Sequence, residues 1–162
     1  MIFITVGSQM PFDRLVQAVD AWAAKHPEVP VLAQVGRGAA PTQHVQRHEV
    51  LEPTAFRRCV QDASLLVAHA GMGSVLTGLE LGKPMLLLPR LGELRETRND
   101  HQVATLKWLQ GKPGVHAAFD VPALLAALDR WQELAAGKGE TAEPSAAQHR
   151  LVAALRDFID AD

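Results

Sequence analysis

Short apolar runs alternate along this chain with longer segments of helical periodicity. The clearest runs are IFITV (2–6), VPVLAQV (29–35), SLLVAH (64–69) and MLLLP (85–89). None of them alternates strictly between polar and apolar residues, which is typical of strands covered on both faces of a parallel sheet. The alternation of strands and helices therefore predicts an α/β fold, a Rossmann-like parallel sheet with helices on both faces.

The segments between these runs carry apolar residues at helical spacing. In PFDRLVQAVDAWAAKH (11–26), residues Leu15, Val16 and Val19 fall on one face. HEVLE (48–52) predicts a short third strand, and TAFRRCVQDA (54–63) predicts a helix capped by Thr54. The remaining predicted elements are a helix over SVLTGLEL (74–81) that ends at Gly82, a helix at 101–111, a strand at 114–119 and one long helix at 121–137.

The C-terminal region begins with KGETAEPS, a stretch of small and polar residues. We predict one domain at 1–137, a linker at 138–144 and an amphipathic helix at 145–162, which packs on the domain or on a partner. The apolar stripe of this helix consists of Leu151, Val152, Leu155, Phe158 and Ile159.

Charge and cysteine content exclude several classes of protein. The 162 residues include 16 basic and 18 acidic ones, a net charge of -2, so no nucleic-acid partner is expected. A single cysteine, Cys59, cannot form an intrachain disulfide and suits a reducing compartment. No apolar run approaches the roughly 20 residues of a membrane helix, and no targeting segment is evident. We therefore expect a cytoplasmic protein.

Two glycine-containing loops follow predicted strands: VGSQMP (6–11) and HAGMGS (69–74). In a parallel sheet both lie at the carboxyl edge, where ligands bind. Glycine lets the backbone approach a ligand closely, and the amides at a helix N-terminus favour anions. Alternatively, Gly71 and Gly73 only form a tight turn that Ser74 caps. The presence of two such loops favours a binding site.

The spacing of the glycines does not match two common phosphate-binding motifs. The dinucleotide pattern G-x-G-x-x-G requires glycine at position 76, where Leu76 stands. In GLELGKP (78–84), only three residues separate Gly78 from Gly82, and Pro84 replaces the hydroxyl residue of a Walker A loop. These departures argue against an NAD-binding domain and against a P-loop nucleotidase.

The joint pattern HAGMGSVLTGLELGKPMLLLPR (69–90) and ETRNDHQVAT (96–105) resembles the C-terminal, donor-binding domain of glycosyltransferase family 28. The opening IFITVGSQMPFDRLVQAVD (2–20) is similar to small stand-alone members of that family. These members are soluble subunits of split UDP-N-acetylglucosamine transferases of lipid-linked oligosaccharide synthesis and of bacterial exopolysaccharide glycosyltransferases. The resemblance implies a domain equivalent to the C-terminal half of a GT-B glycosyltransferase.

The resemblance also implies a UDP-sugar at the carboxyl edge of the sheet. The 71–74 loop would hold the diphosphate through backbone N–H groups, and the 99–102 segment would contact the donor sugar. His69 either binds a phosphate oxygen or ties a neighbouring loop, and Asn99 or Asp100 can equally cap the next helix. The predicted donor-binding residues are Gly7, Ser8, Gln9, His69, Gly71, Met72, Gly73, Ser74, Asn99, Asp100, His101 and Gln102.

Two groups of residues keep open interpretations. Arg90, Arg95 and Arg98 either face the diphosphate, the acceptor or a membrane surface, or are simply solvated. Many relatives carry an acidic ribose ligand where this chain has Thr77, and Glu80 lies one turn further along on nearly the same face. The resemblance leaves open whether either residue reaches the ribose.

Complete enzymes of this type have two Rossmann-like domains, and the acceptor side usually supplies the catalytic base. The resemblance therefore implies the donor-binding catalytic subunit of an inverting UDP-sugar-dependent hexosyltransferase. Its expected partner is a membrane-anchored subunit that brings a lipid-linked sugar acceptor for exopolysaccharide or glycan synthesis to the inner face of the membrane. His69 is the only candidate base, and neither a cofactor nor a metal is expected, because loop and helix amides can carry the phosphate charge. The alternative is a nucleotide-sugar-binding module without catalysis.

Overall fold

The computed structural model describes residues 1–137 and 146–160, with only the backbone for 147, 148 and 158–160. The strands are β1 (Ile2–Thr5), β2 (Val31–Gln34), β3 (Gln46–His48), β4 (Leu65–His69), β5 (Met85–Leu88) and β6 (Val115–Ala117). The helices are α1 (Asp13–Ala24), α2 (Pro53–Asp62), α3 (Met72–Glu80), α4 (His101–Leu109), α5 (Val121–Leu128), α6 (Trp131–Ala136) and α7 (Ala146–Asp160).

The six strands form one parallel sheet in the order β3-β2-β1-β4-β5-β6. The central strand β1 pairs on both sides, so that Ile2 lies opposite Val31 of β2 and Leu65 of β4. The strand order reverses between β1 and β4, and at such a switch point the loops after the two strands separate and leave a crevice at the carboxyl edge. The predicted Rossmann-like parallel fold is confirmed, and its expected ligand-binding edge lies after β1 and β4.

The sheet is buried on both faces, with a separate hydrophobic core on each. Ile2 and Ile4 of β1 point into a core formed with α1, α5 and α6. Phe3, between them, points into a second core formed with α2, α3, α4 and α7. Because both faces of β1 need apolar side chains, the strand shows no polar alternation in the sequence.

Three predicted elements differ from those observed. The third strand is Gln46–His48 rather than 48–52, because the backbone leaves the sheet after His48 and the Leu51 amide donates to the Gln34 side chain over 2.8 Å. Helix α2 begins at Pro53 with Glu52 as its N-cap, so Thr54 lies inside the first turn and does not cap it. The long helix expected at 121–137 is two helices, α5 and α6.

The break between α5 and α6 follows from a tertiary contact. Asp129 lies between the two helices, and its carboxylate accepts a hydrogen bond of 2.9 Å from the indole nitrogen of Trp22 in α1. This contact joins the end of α5 to α1, and the chain then continues as α6 from Trp131. Helical periodicity alone does not report such a break, because both segments keep an apolar face.

Helix α7 packs against the domain on the side of α3. Its Leu151, Val152 and Leu155 belong to the second core. Of the predicted apolar stripe, the side chains of Phe158 and Ile159 lie outside the described residues, as does the linker predicted at 138–144. Among the helices that the structure describes, none has the length and apolar character needed to cross a bilayer.

A buried carboxylate organises the loop that leads into β3. Asp20 of α1 is 8% exposed and accepts hydrogen bonds from three consecutive backbone amides. The shortest distances are 3.2 Å to Gln43, 2.8 Å to His44 and 3.1 Å to Val45. Because the carboxylate satisfies three donors at once, its removal would leave three amides without this partner, that of Val45 in a buried position.

We expect Asp20→Ala to lower the free energy of unfolding by about 2–4 kcal/mol, since each orphaned buried donor costs about 1–3 kcal/mol and solvent can reach part of the loop. Urea denaturation followed by circular dichroism measures this change. Asp13→Ala is the matched control: Asp13 is exposed, accepts only the Ala40 amide at 3.1 Å, and should cost under about 1 kcal/mol. Equal losses of unfolding free energy in the two variants would contradict the role assigned to the Asp20 carboxylate.

Candidate functional site

A cleft of about 350 Å³ lies at the carboxyl ends of β1 and β4, at the switch point of the sheet. Both glycine-containing loops border it, together with residues from the segment after β5. Its lining residues are Val6, Gly7, Ser8, Gln9, Met10, His69, Gly71, Met72, Gly73, Ser74, Arg90, Thr97 and Gln102. The cleft therefore brings together nine of the twelve predicted donor-binding residues.

The loop after β1 turns sharply at Gly7. Gly7 has a φ of 80°, in the left-handed region that other residues seldom occupy. Its amide donates to the Thr5 hydroxyl over 3.1 Å, and its carbonyl accepts from the buried Gln34 side chain over 3.1 Å. These contacts fix the turn, which carries Ser8 and Gln9 along one wall of the cleft.

The opposite wall is the start of α3. The helix begins at Met72, two residues earlier than predicted, with Gly71 as N-cap and no side-chain cap. Ser74 is buried inside the first turn, so the alternative in which it caps the helix is wrong. The amides of Met72, Gly73 and Ser74 have no carbonyl partner within an α-helix that starts here. These amides and the helix dipole favour an anion in the cleft.

The imidazole of His69 fills the space between the two loops. A Cβ atom added to Gly71 would lie 2.0 Å from His69 Nε2, and one added to Gly7 would lie 3.2 Å from Cε1. Both glycines are therefore needed for the loops to close around the ring. The ring acts as a spacer that sets the distance between the two walls.

His69 is neutral at physiological pH. Burial, and then the charge of Arg90, lower the pKa of the imidazole to about 4. An interaction with the Thr5 backbone opposes this lowering of the pKa only slightly. The ring nitrogen Nδ1 is buried and makes no hydrogen bond of ordinary geometry. A neutral ring of such low basicity cannot pair with phosphate as a cation and is a weak general base.

The depressed pKa of His69 predicts that acid destabilises the fold. An ordinary histidine in the unfolded chain binds a proton near pH 6.5, whereas folded His69 does so near pH 4. The contribution of neutral His69 to the free energy of unfolding is therefore complete above pH 6.5. It is lost as the pH falls toward 4, which lowers the free energy of unfolding by about 3 kcal/mol. His69→Gln should flatten this part of the stability profile, measured by urea denaturation between pH 4.5 and 7. An unchanged slope in the variant would contradict a buried neutral ring.

Arg90 links the loop after β1 to the end of β5. It is 4% exposed, and its guanidinium donates to the carbonyl oxygens of Pro11 (2.7 Å), Val6 (2.9 Å) and Met10 (2.9 Å). The guanidinium also lies 4.8 Å from the centre of the Phe12 ring. Burial lowers the pKa of Arg90, but arginine remains charged at any physiological pH. Most of its donors are bonded to the backbone, so it shapes the cleft wall.

Of the predicted 99–102 segment, which runs into the first turn of α4, one residue lines the cleft. Gln102 lines it, with its side-chain oxygen held by the Arg90 amide at 3.0 Å. Asn99 accepts the His101 amide at 3.0 Å and Asp100 accepts the Gly92 amide at 3.0 Å. Asn99 and Asp100 therefore bind backbone amides and do not line the cleft. Asn99 bonds the first amide of α4, whereas Asp100, at the N-cap position, makes no side-chain capping bond.

The model of the glycosyltransferase family 28 C-terminal domain matches residues 1–118, which is most of the chain. The chain belongs to this family. No curated protein matches it significantly. The match covers β1 to β6 and so includes both glycine-containing loops, Arg90 and Gln102.

Solved GT-B glycosyltransferases share the fold of this family 28 domain. The kitacinnamycin glycotransferase aligns with a TM-score of 0.62 and 21% identity over 99% of this chain and 39% of its own. Acinetobacter baumannii MurG aligns with a TM-score of 0.59 and 20% identity over 96% of this chain and 49% of its own. A UDP-glucose:anthocyanidin 3-O-glucosyltransferase aligns with a TM-score of 0.58 and 14% identity over 96% of this chain and 40% of its own. The chain thus spans less than half the length of these proteins.

Neither candidate ribose ligand of the family 28 domain lines the cleft. The Thr77 hydroxyl donates back to the Gly73 carbonyl over 3.0 Å. Glu80, at the far end of α3, pairs with Arg156 of α7 and lies 3.8 Å from Arg57 of α2. The Glu80 carboxylate therefore connects three helices.

Three other side chains of the family 28 domain do not line the cleft: Arg95 and Arg98, whose role was left open, and His101, which was predicted to contact the donor sugar. Arg95 and Arg98 are exposed and do not line the cleft, whereas Arg90 is buried in its wall. His101 faces a separate apolar pocket beside the cleft. Sequence reasoning did not assign Met10 and Thr97, which line the cleft, although they lie in the segments 6–11 and 96–105. Arg90 positions both loops through contacts with the Met10 and Glu96 carbonyls that the segments themselves do not reveal.

Proposed function

We propose that this chain is the donor-binding subunit of a glycosyltransferase and that the cleft holds the diphosphate of a UDP-sugar. The observation that carries the proposal is the uncapped start of α3, whose first amides border the cleft at the switch point of the sheet. None of the described residues that line the cleft is acidic, so no carboxylate among them repels the phosphate charges. The solved complex of the anthocyanidin glucosyltransferase contains UDP, which supports uridine as the nucleoside of the proposed donor.

The neighbouring polar side chains suit the sugar. Gln102 has its oxygen engaged with the Arg90 amide, which orients its NH₂ group as a donor. Ser8 and Gln9 on the opposite loop offer a hydroxyl and an amide at the same cleft. Polar side chains that are fixed in one orientation distinguish sugars by the positions of their hydroxyl groups. We assign the donor sugar to the space between Gln102 and the 7–9 loop.

The chemistry that this chain supplies is stabilisation of the leaving UDP. Amides already oriented toward the diphosphate stabilise negative charge as the glycosidic bond of the donor breaks, with no requirement for a metal or cofactor. Inverting transfer also needs a base for the acceptor hydroxyl. The low basicity of His69 makes it a spacer, so we assign the base to a partner subunit.

That partner is, in this proposal, a membrane-anchored subunit that presents a lipid-linked sugar at the cytoplasmic face, in exopolysaccharide or glycan synthesis. The small stand-alone members that the sequence resembles are the model for this arrangement. Co-purification from membranes with a second glycosyltransferase subunit tests this part directly.

Calorimetric titration tests the donor site. We expect UDP to bind at least about tenfold more tightly than UMP, because a second phosphate adds charge at the helix N-terminus and charge-assisted hydrogen bonds are worth about 1.5–3 kcal/mol. UDP-N-acetylglucosamine and UDP-glucose, titrated in parallel, rank the donor sugar. Equal affinities for UMP and UDP would refute the assignment of the diphosphate to the cleft.

The alternative function is a nucleotide-sugar-binding module without catalysis. Gln102→Ala should weaken the preferred UDP-sugar by about 3–10-fold and leave UDP unchanged, because one neutral hydrogen bond contributes about 0.5–1.5 kcal/mol. Lys107→Ala, an exposed change on the same helix, is the control. A donor sugar that Gln102 recognises, combined with no transfer by the reconstituted complex, would favour the non-catalytic module.

A further inference from the structure

An ion pair outside the donor cleft joins α1 to the loop that follows β5. The Arg14 guanidinium donates two hydrogen bonds to the Glu96 carboxylate, from Nε to Oε1 over 2.7 Å and from Nη2 to Oε2 over 3.0 Å. The two side chains are 20% and 13% exposed, and neither residue lines the cleft. A two-point contact between arginine and a carboxylate fixes orientation as well as distance.

The Arg14–Glu96 pair also holds the backbone just after β5. Nη2 of Arg14 donates to the Pro89 carbonyl over 2.7 Å. Oε2 of Glu96 accepts a hydrogen bond from the Leu91 amide over 2.9 Å. Arg90 lies between these two contacts, so the ion pair fixes its backbone from both sides.

This short backbone segment in turn orients a side chain of the cleft. The Arg90 amide donates to the side-chain oxygen of Gln102 over 3.0 Å, and Gln102 lines the cleft from the first turn of α4. A side-chain amide whose oxygen is bonded presents its NH₂ group as the free donor. The amides that bind Glu96 and Gln102 belong to adjacent residues, Leu91 and Arg90. The direction of the Gln102 NH₂ group therefore depends on a carboxylate that does not reach the cleft.

We propose that Glu96 and Arg14 are positioning residues for the donor sugar, acting through the 89–91 backbone on Gln102. The inference rests on the proposed function, in which the Gln102 NH₂ group donates to an oxygen atom of the sugar. The ion pair touches no ligand and sets the direction from which Gln102 meets the sugar. The amides at the start of α3, which are assigned to the diphosphate, do not depend on it. Sugar recognition and diphosphate binding thus rely on separate contacts of the fold.

The ligand-free protein tests the positioning directly. A nitrogen-15 correlation spectrum contains the side-chain NH₂ signals of Gln102, which are identified by their loss in Gln102→Ala. Glu96→Gln should shift these signals, because an amide has a single acceptor oxygen and cannot satisfy both Arg14 and the Leu91 amide. Glu93→Gln, an exposed change of the same chemistry in the same loop, should leave them in place. Unmoved Gln102 signals in a folded Glu96→Gln variant would overturn the proposal.

Calorimetry measures the consequence for donor binding. We expect Glu96→Gln to weaken the tighter-binding of UDP-N-acetylglucosamine and UDP-glucose about 3–5-fold and to change UDP affinity less than about twofold, since one neutral hydrogen bond to the sugar is misaligned. Arg14→Ala should reproduce this split and serves as the second variant should Glu96→Gln fold poorly. A general loss of structure would weaken both ligands, whereas Glu93→Gln should weaken neither. Equal losses for UDP and the UDP-sugar would therefore contradict a positioning role.

A double variant tests whether the effect passes through Gln102. In the Gln102→Ala background, Glu96→Gln should weaken the UDP-sugar by less than about 1.5-fold further, because the group that it orients is already gone. A further loss of full size would mean that Glu96 acts by another route, and the proposal would fail. Wild-type protein that does not bind UDP would instead refute the proposed function, with the Gln102 spectra still deciding the positioning. UDP binding with unchanged sugar affinity in Glu96→Gln would overturn this inference alone.

Discussion

Gly73→Asp is expected to reduce UDP affinity about 100-fold or more without harming the fold. Gly73 is exposed at the second position of α3, and a Cβ atom there would meet nothing within 4 Å. An acidic residue in the first turn also stabilises a helix by about 0.3–1 kcal/mol. In the cleft, however, the carboxylate would stand against the diphosphate. Two unit charges at about 4 Å repel by about 4 kcal/mol at an effective dielectric constant of about 20, and 1.4 kcal/mol changes affinity tenfold.

Two neighbouring variants separate charge from shape. Gly73→Ala adds only a methyl group and should raise thermal stability slightly, while UDP affinity changes less than about fivefold. Gly71→Ala should lower stability, because the added Cβ would lie 2.0 Å from His69 Nε2. Calorimetry and thermal unfolding of the three variants give both readouts. Full UDP affinity in a folded Gly73→Asp variant would place the diphosphate somewhere other than at the start of α3.

Arg90→Ala should lower the free energy of unfolding by about 3–5 kcal/mol, the largest loss of stability expected for a single cleft residue. The guanidinium is 4% exposed and satisfies the carbonyls of Val6, Met10 and Pro11. Removing it leaves these acceptors without that donor, the Val6 carbonyl in a buried position, and removes the contact with the Phe12 ring. The loop that carries Ser8 and Gln9 would then lose its anchor, and UDP affinity should fall as well.

Arg90→Lys and Arg14→Ala are the comparisons for this variant. Lysine keeps the charge, but it lacks the planar guanidinium that donates to three carbonyls. Most of the loss of unfolding free energy should therefore remain. Arg14 pairs with Glu96 at 2.7 Å in a more exposed position, and its loss should cost about 1–2 kcal/mol. Urea denaturation at neutral pH ranks the three variants. If Arg90→Lys behaved as the wild type, charge and not the fork geometry would hold the loop.

The fold was predictable because it depends on repeated local patterns. Strands buried on both faces require continuous apolar runs, and helices between them require an apolar face, so both signals recur along the chain. Glycines after β1 and β4 then marked the loops at the switch point. The prediction was wrong for β3, a short edge strand with little apolar signal, and for the helix that Asp129 divides by its contact with Trp22.

The candidate site was predictable only in part, since several of its residues act through distant partners. Asn99, Asp100 and Gln102 are close in sequence, yet Gln102 alone lines the cleft, because the other two bind backbone amides nearby. The sequence left open whether Glu80 of α3 reaches the ribose, but this side chain contacts Arg156 of α7. Nothing in the local sequence around Glu80 indicates that partner.

By itself, then, the amino-acid sequence determined the layered α/β architecture, the edge of the sheet that carries the glycine loops, and the family. Those properties follow from periodicity, glycine placement and motif spacing, which act over a few residues. Only the tertiary structure decided that Arg90 reaches back to Val6, Met10 and Pro11, that His69 is a neutral spacer between Gly7 and Gly71, and that an apolar pocket adjoins the cleft. The physical reason is that burial and long-range hydrogen bonds depend on which segments meet in space.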